Sequence, residues 1–102
     1  MYHLTRKEYL ESIMVHGLIP GFSRGITRNR RAQECVFLTD DVRVPIEQLG
    51  HTYRSEEWCT LSIDTRDMNV KPHVTTGLLE NVTVPNEFVT NARIPPWRIK
   101  KQ

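Results

Sequence analysis

The stretch YHLTRKEYLESIMVHGLIP (residues 2–20) decides the fold class, because it joins a strand to a helix within one short segment. Residues 1–4 are typical of a strand, and Thr5 and Glu8 have the spacing of a capping box, in which the threonine hydroxyl accepts the backbone N–H of the glutamate. Four apolar residues then recur at helical spacing: Tyr9, Leu10, Ile13 and Met14. Gly17 suits the left-handed position that ends a helix. We therefore predict a strand and a capped helix that ends at Gly17.

The rest of the chain favours strands. Three segments are rich in β-branched and aromatic residues, namely 35–39, 58–65 and 80–90. Pro85 interrupts the last of these segments and predicts a bulge, a bend or an edge strand there. We expect one or two helical turns at 45–50, a loop containing Pro72 at 67–77 and an extended end at 93–99. The pattern predicts a single α+β domain over residues 1–102, with a small, mostly antiparallel sheet and one well-defined N-terminal helix.

Composition indicates a globular chain. The chain has 102 residues, of which 38% are hydrophobic and 25% charged, and this length suits one modest core. The sequence has no apolar run of transmembrane length, and charged residues interrupt its start, so we expect a cytoplasmic protein without membrane contact. Cys35 and Cys59 lack the spacing of a zinc site and are expected to be reduced core residues.

Charge is distributed unevenly, although the net charge is only +2. No acid occurs between Ser12 and Gln33, a stretch that contains four arginines: Arg24, Arg28, Arg30 and Arg31. No acid follows Glu87 either. This asymmetry indicates a phosphate-bearing partner, with a solvated arginine loop as the plain alternative.

Three motifs follow one another along the chain. The first is the opening strand with His3 and Thr5, followed by the helix and HGL; the second is CVFLTD (35–40); the third is NEFVTNARIPPWRI (86–99). In this order they resemble the ADP-ribosyltransferase family, whose opening strand carries a His with a Ser/Thr two residues later. Its middle strand carries an aromatic residue, and its last catalytic strand carries a glutamate before an Ile/Val-Pro-Pro tail. The resemblance implies an ADP-ribosyltransferase-like fold that uses NAD as a substrate.

The resemblance also implies roles for three residues. Breaking the bond between nicotinamide and ribose develops an oxocarbenium-like cation, which a carboxylate stabilises if it is positioned beforehand. By resemblance that carboxylate belongs to Glu87. His3 would hydrogen-bond a ribose hydroxyl, and Phe37 would stack on the nicotinamide ring. Taken without the motifs, Glu87 would be a solvated edge acid, with Glu80 as a weaker rival for the catalytic position, and Phe37 would be a core residue.

The remaining candidates surround the NAD site by the same resemblance. Thr5 would hold the adjoining backbone and the bound NAD, and Tyr9 would line the pocket unless it belongs to the core. Leu4 stands where many members of the family have glycine, but its backbone can still contact the nicotinamide amide. Arg24 could bind the diphosphate in a bidentate contact, and the basic loop as a whole is expected to contact phosphates. No metal site is expected.

The activity that the resemblance implies is mono-ADP-ribosylation of a macromolecular acceptor, either a protein or a nucleic acid. The size would suit a bacterial toxin or a phage effector, by analogy alone. Two alternatives stay open on the same scaffold. One is an enzyme resembling the RNA 2′-phosphotransferases, which the arginine cluster favours. The other is an inactive binding or inhibitor protein that kept the fold and lost turnover.

Overall fold

In the computed structural model, which describes residues 1–20, 35–76 and 80–102, the chain forms an α+β domain on one antiparallel six-stranded sheet. The strands are β1 (Tyr2–Arg6), β2 (Val36–Thr39), β3 (Trp58–Ile63), β4 (Lys71–Thr76), β5 (Asn81–Thr90) and β6 (Ile99–Lys101), in the spatial order β4-β5-β2-β1-β3-β6. The helices are α1 (Leu10–His16) and α2 (Arg43–Leu49), with 3₁₀ turns at Lys7–Tyr9, Gly50–Thr52 and Pro96–Arg98. The predicted α+β class and antiparallel sheet are confirmed, and the helical turns expected at 45–50 belong to α2, which begins two residues earlier. Within the described ranges no helix is long and apolar enough to cross a membrane.

The opening strand is longer than predicted, and the capping box is wrong. β1 continues through Arg6 because each of its residues pairs with β3, including Thr5 with Cys59. Thr5 is therefore a buried strand residue rather than a helix cap. A 3₁₀ turn, Lys7–Tyr9, separates the strand from α1, and no side chain caps either element.

Gly17 ends α1 in a positive-φ conformation, as predicted, with φ at 80°. A Cβ at this position would overlap the carbonyl oxygen of Ile94. The next residue, Leu18, exchanges two backbone hydrogen bonds with Ile94, both of 2.9 Å. Glycine is needed here for both its conformation and its small size, and the bridge fixes the end of the helix against the Ile-Pro-Pro segment.

The hydrophobic core lies on one face of the sheet. Alternate residues of β3 are buried, as its sequence pattern predicts. The full set of buried hydrophobic residues is Ile13, Leu18, Val36, Leu38, Cys59, Leu61, Ile63, Ile94 and Ile99. Both cysteines are free thiols, and burial raises the pKa of the Cys59 thiol. Cys59 thus belongs to the core as expected, whereas Cys35 is only half-buried.

Two prolines mark irregularities at the edge of the sheet. The predicted loop at 67–77 is wrong, since β4 occupies most of it as an edge strand paired only with β5. An edge strand tolerates Pro72 because one side of its backbone needs no partner strand. The irregularity predicted at Pro85 is a bulge: residues 84–87 of β5 lie between the Val74–Thr83 and Pro72–Phe88 pairs.

Candidate functional site

A pocket opens where β1 and β2 meet. These strands share only one paired position, Tyr2 with Thr39, whereas β1 and β3 pair over five consecutive positions. The pocket has a volume of about 110 Å³ and is walled by β1, β2, α2 and the bulge of β5. Four of the predicted site residues line this pocket: His3, Leu4, Phe37 and Glu87. Four residues from three separate sequence motifs are thus brought to one place.

His3 is held by its neighbour across the gap between β1 and β2. Its Nδ1 lies 2.7 Å from the carbonyl oxygen of Phe37. A carbonyl oxygen only accepts, so Nδ1 must carry the proton and donate it. Burial lowers the pKa of His3, and the hydrogen bond to Phe37 opposes this effect only in part. The imidazole is therefore neutral at pH 7, and its Nε2 carries a lone pair that can accept a hydrogen bond.

The bulge in β5 sets the direction of Glu87. The single residue His73 of β4 lies opposite four residues of β5, 84–87. Within the bulge Asn86 adopts a positive φ of 62°, a conformation that costs energy for a residue other than glycine. The Asn86 side chain donates a hydrogen bond to Asp40 Oδ1 at 2.8 Å. The backbone immediately before the carboxylate is thus strained and tied to the end of β2.

Thr39 strengthens the same connection from the buried side. Its hydroxyl accepts the N–H of Asp41 at 3.1 Å and lies 2.7 Å from the carbonyl oxygen of Asn86. The Asp41 carbonyl is also within 2.9 Å, but one hydroxyl proton serves one acceptor at a time. Thr39 is only 6% exposed. It therefore fixes the bulge to β2 one residue before Glu87.

His73 completes the surroundings of Glu87. Its Nδ1 lies 3.4 Å from Glu87 Oε2, but this nitrogen is buried and makes no hydrogen bond with that oxygen or with any other described group. The His73 ring also meets the ring of Phe37 edge-on, with the centroids 5.3 Å apart. A polar nitrogen without a partner is costly when buried. His73 therefore lies between the Glu87 carboxylate and the Phe37 ring, with its Nδ1 close to an acceptor that it does not engage.

Sequence reasoning missed His73 and Thr39. The sequence placed His73 in a loop, and nothing local distinguished it from the other histidines. The available signal was the β-branched run Val74-Thr75-Thr76 just after it, which is typical of a strand. Thr39 was visible only as the end of a strand.

Two other predicted site residues, Thr5 and Tyr9, lie outside the lining of the pocket. Thr5 is buried beside Cys59 and is not among the residues that line the pocket. Tyr9 packs against the hydrophobic core from the 3₁₀ turn and is likewise not in the lining. Arg24 and the other arginines of the basic loop (Arg28, Arg30 and Arg31) lie outside the described residues. Among the described residues no group of three or more histidines, cysteines and acids is placed to hold a metal ion.

Comparison of the chain with protein-family models, with curated proteins and with solved structures finds no match in any of the three. The functional argument therefore rests on the pocket itself. Its defining features are a neutral histidine with a free lone pair, an aromatic ring and a carboxylate on adjacent strands.

Proposed function

We propose that this chain is an NAD-dependent mono-ADP-ribosyltransferase with an ADP-ribosyltransferase-like fold. The observation that carries the proposal is the convergence of His3, Phe37 and Glu87 on one pocket. The three residues are far apart in sequence and lie on the neighbouring strands β1, β2 and β5. Each is the residue that the resemblance assigns to NAD.

The proposed reaction uses the charge of Glu87. The bond between the ribose C1′ and the nicotinamide nitrogen breaks, and nicotinamide leaves with the bonding electron pair. The Glu87 carboxylate stabilises the resulting oxocarbenium-like cation, because it is positioned before the charge develops. A nucleophile of the acceptor then forms the new bond to C1′ and loses its proton.

His3 and Phe37 would orient the substrate. The Nε2 lone pair of His3 accepts a hydrogen bond from a ribose hydroxyl, while its Nδ1 stays bound to the Phe37 carbonyl. The Phe37 ring would stack on nicotinamide, and its contact with the His73 ring is perpendicular rather than stacked, with 5.3 Å between the centroids. Holding the ring and the ribose in this way is the positioning that glycosidic cleavage requires.

The pocket is the size of part of the substrate. Its volume of about 110 Å³ is smaller than the roughly 300–1,000 Å³ that encloses a drug-sized ligand. We therefore assign the pocket to the nicotinamide and its ribose, with the remainder of NAD outside it.

The test is nicotinamide release from NAD by the purified protein, with Glu87→Gln and a matched control. The control is Glu80→Gln, the same change at an exposed position beside β5. We expect Glu87→Gln to reduce turnover by roughly 100-fold or more, and Glu80→Gln to retain the wild-type rate. Equal rates in both variants would remove Glu87 from the mechanism.

The two alternatives give different results in the same assay. An inactive binding protein would release no nicotinamide, while NAD raises its Tm if the pocket still binds it. A 2′-phosphotransferase would release nicotinamide only when RNA carrying a 2′-phosphate is added. A wild-type protein that neither releases nicotinamide nor gains stability from NAD would overturn the proposal.

A further inference from the structure

A row of side chains crosses five of the six strands on the face that carries Glu87. Residues that pair directly on neighbouring strands place their side chains on the same face of a sheet. The paired positions of this row are Glu87, Thr39, Tyr2, Ser62 and Lys100. With neighbouring strands about 4.8 Å apart, the four steps from Glu87 to Lys100 span about 19 Å. The pocket and β6 therefore lie on the same face of the sheet, although Thr39 within the row is buried.

A second cavity lies at the far end of this row. It has a volume of about 250 Å³ and is lined by Ser62, Ile63, Asp64, Trp97, Arg98 and Lys100. Trp97 is 73% exposed, a large fraction for an aromatic side chain. The guanidinium of Arg98 lies over the indole ring, 4.5 Å from its centroid. One face of the ring is thus supported by a cation, while much of the ring stays open to solvent.

Two backbone carbonyl groups hold the side chain of Arg98 in place. Its Nη1 donates to the carbonyl oxygens of Asp64 at 3.1 Å and of Arg66 at 2.7 Å, and its side chain is only 16% exposed. Asp64 is the single acid in the lining, and Arg66 binds its carboxylate through two hydrogen bonds, of 3.1 and 2.9 Å. Arg98 Nη1 also lies 4.0 Å from Asp64 Oδ1, so two arginines share this one carboxylate. Together with Lys100 they leave this end of the sheet with more positive than negative charge.

A second pair of an arginine and a tryptophan lies at the other end of β3, but acids balance its positive charge. Arg6 lies over the ring of Trp58, with 5.4 Å between the guanidinium and the ring centroid. Arg6 is shared between Glu8 and Glu57, both 3.5 Å away, and Trp58 is half-buried. Of these two pairs, that of Trp97 and Arg98 has the more open ring, and there the arginines outnumber the one carboxylate that they share.

We propose that Trp97, Arg98 and Lys100 bind a single-stranded nucleic acid, which is the acceptor of the proposed transferase. A base stacks on the open part of the Trp97 ring, and the two cations contact phosphates. This combination of an aromatic platform with a basic groove is how proteins hold single strands without reading their sequence. An acidic peptide would satisfy the cations but would leave the exposed indole without a stacking partner.

The row of paired residues gives the strand its path to the pocket. At about 3.4 Å per stacked nucleotide, the 19 Å from Lys100 to Glu87 correspond to roughly six nucleotides. A base held at Trp97 would therefore place a nucleotide about six positions away beside the reactive ribose. This path rests on the proposed function, whereas the binding at Trp97 can be measured without it.

The first test is binding of a fluorescein-labelled oligo(dT) of about twelve nucleotides, measured by fluorescence anisotropy without NAD, with oligo(U) as a second probe. We expect Trp97→Ala to weaken binding roughly tenfold and Trp97→Phe to retain most of it. Lys100→Glu should also weaken binding and should reduce its dependence on salt. Lys7→Glu, which makes the same charge change beside the opposite end of β3, should bind like the wild type.

Binding with equal affinity by all four variants would show general attraction to a basic chain and would overturn the proposal. So would the absence of binding at low salt, or binding of poly-glutamate in place of the oligonucleotides. Thermal melting of each variant establishes whether it is folded. If Trp97→Ala does not fold, the comparison of Trp97→Phe and Lys100→Glu with the wild type still tests the proposal.

The second test connects the surface to the pocket. With NAD present, we expect ADP-ribose to become attached to the oligonucleotide in the wild type and this attachment to be lost in Trp97→Ala. Oligonucleotide binding without nicotinamide release would refute the transferase and retain the binding surface. Nicotinamide release with normal attachment in Trp97→Ala would refute the surface and retain the transferase.

Discussion

The two halves of the sheet differ in regularity. β1, β3 and β6 form continuous ladders, with five consecutive pairs between β1 and β3 and three between β3 and β6. Leu61 and Ile63, at the centre of this half, are 0% and 3% exposed. The half formed by β2, β5 and β4 contains the bulge, the positive φ of Asn86 and the buried Nδ1 of His73 without a hydrogen bond.

We expect this difference to separate stability from the proposed chemistry. The regular half buries apolar side chains, which is the main source of folding free energy. The irregular half contains the bulge and the positive φ of Asn86 beside a carboxylate, and such strain persists only where the surrounding structure imposes it. A buried polar atom without a partner occurs in both halves, since Trp58 Nε1 in β3 is another. We therefore expect substitutions in the two halves to act on different observables.

Truncation of Leu61 should have the largest effect on stability. Leu61→Ala removes a fully buried side chain from the regular half and should lower the free energy of unfolding by about 2–5 kcal/mol. Val82→Ala on β5 makes a smaller change at a position that is 51% exposed and should stay within about 0.5 kcal/mol. Urea unfolding at constant m-value measures both. Similar losses in the two variants would contradict the division between the halves.

Removal of the Thr39 hydroxyl should affect both stability and chemistry. Thr39→Val leaves the Asp41 N–H and the Asn86 carbonyl without this partner and should cost about 1–3 kcal/mol. Because Thr39 fixes the bulge before Glu87, nicotinamide release should also fall. Thr39→Ser keeps the hydroxyl and serves as the control; if it loses as much activity as Thr39→Val, the hydrogen bond is not what positions Glu87.

His3 should make stability depend on pH at the junction of the two halves. Its folded pKa lies below the ordinary value of 6.5 because of burial. As the pH falls below 6.5, the unfolded chain binds a proton that the folded chain does not bind. The free energy of unfolding should then decrease by up to about 1.4 kcal/mol per pH unit, and this contribution should be constant above pH 6.5.

His3→Asn isolates this contribution, since the asparagine amide can donate to the same carbonyl of Phe37 without titrating. Urea unfolding between pH 5 and pH 7 should show a smaller pH dependence in the variant than in the wild type. The same slope in both proteins would mean that another group causes it.

Asn86 should give the smallest effects. Asn86→Ala keeps the positive φ and loses the hydrogen bond to Asp40, so it should cost about 1 kcal/mol. Asn86→Gly loses the same bond but relieves the backbone strain, so its free energy of unfolding should stay within about 0.5 kcal/mol of the wild type. If glycine is the worse substitution of the two, the conformation at Asn86 is not strained.

Local sequence patterns were sufficient for β3 and for the end of α1, but not for the full length of β1 or for β6. The alternation in β3 and the position of Gly17 depend on near neighbours in the sequence, and both were predicted. β4 was not, because Pro72 suppresses the strand signal and only the edge position makes it acceptable. Thr5 was taken for a helix cap because its pairing with Cys59 is invisible in the local sequence.

The residues of the candidate site could be predicted only where the local sequence marks them. His3, Phe37 and Glu87 belong to short motifs that can be read directly from the sequence. His73 reaches Glu87 only because four residues of β5 bulge opposite it. That arrangement depends on the register between two strands, which composition and spacing do not determine.

The strand order has a consequence for how fast the chain folds. β4 and β5 are joined by a short connection, but β1 pairs with β2 and β3, more than thirty and more than fifty residues further on. β3 in turn pairs with β6, and Leu18 pairs with Ile94, again across long stretches of sequence. Each of these loops must close before its contacts contribute free energy, so high contact order should make folding slow for a domain of this size. On a ribosome, Ile94 and β6 would be the last of these partners to leave the exit tunnel, so β3 and Leu18 would emerge well before the residues that they pair with.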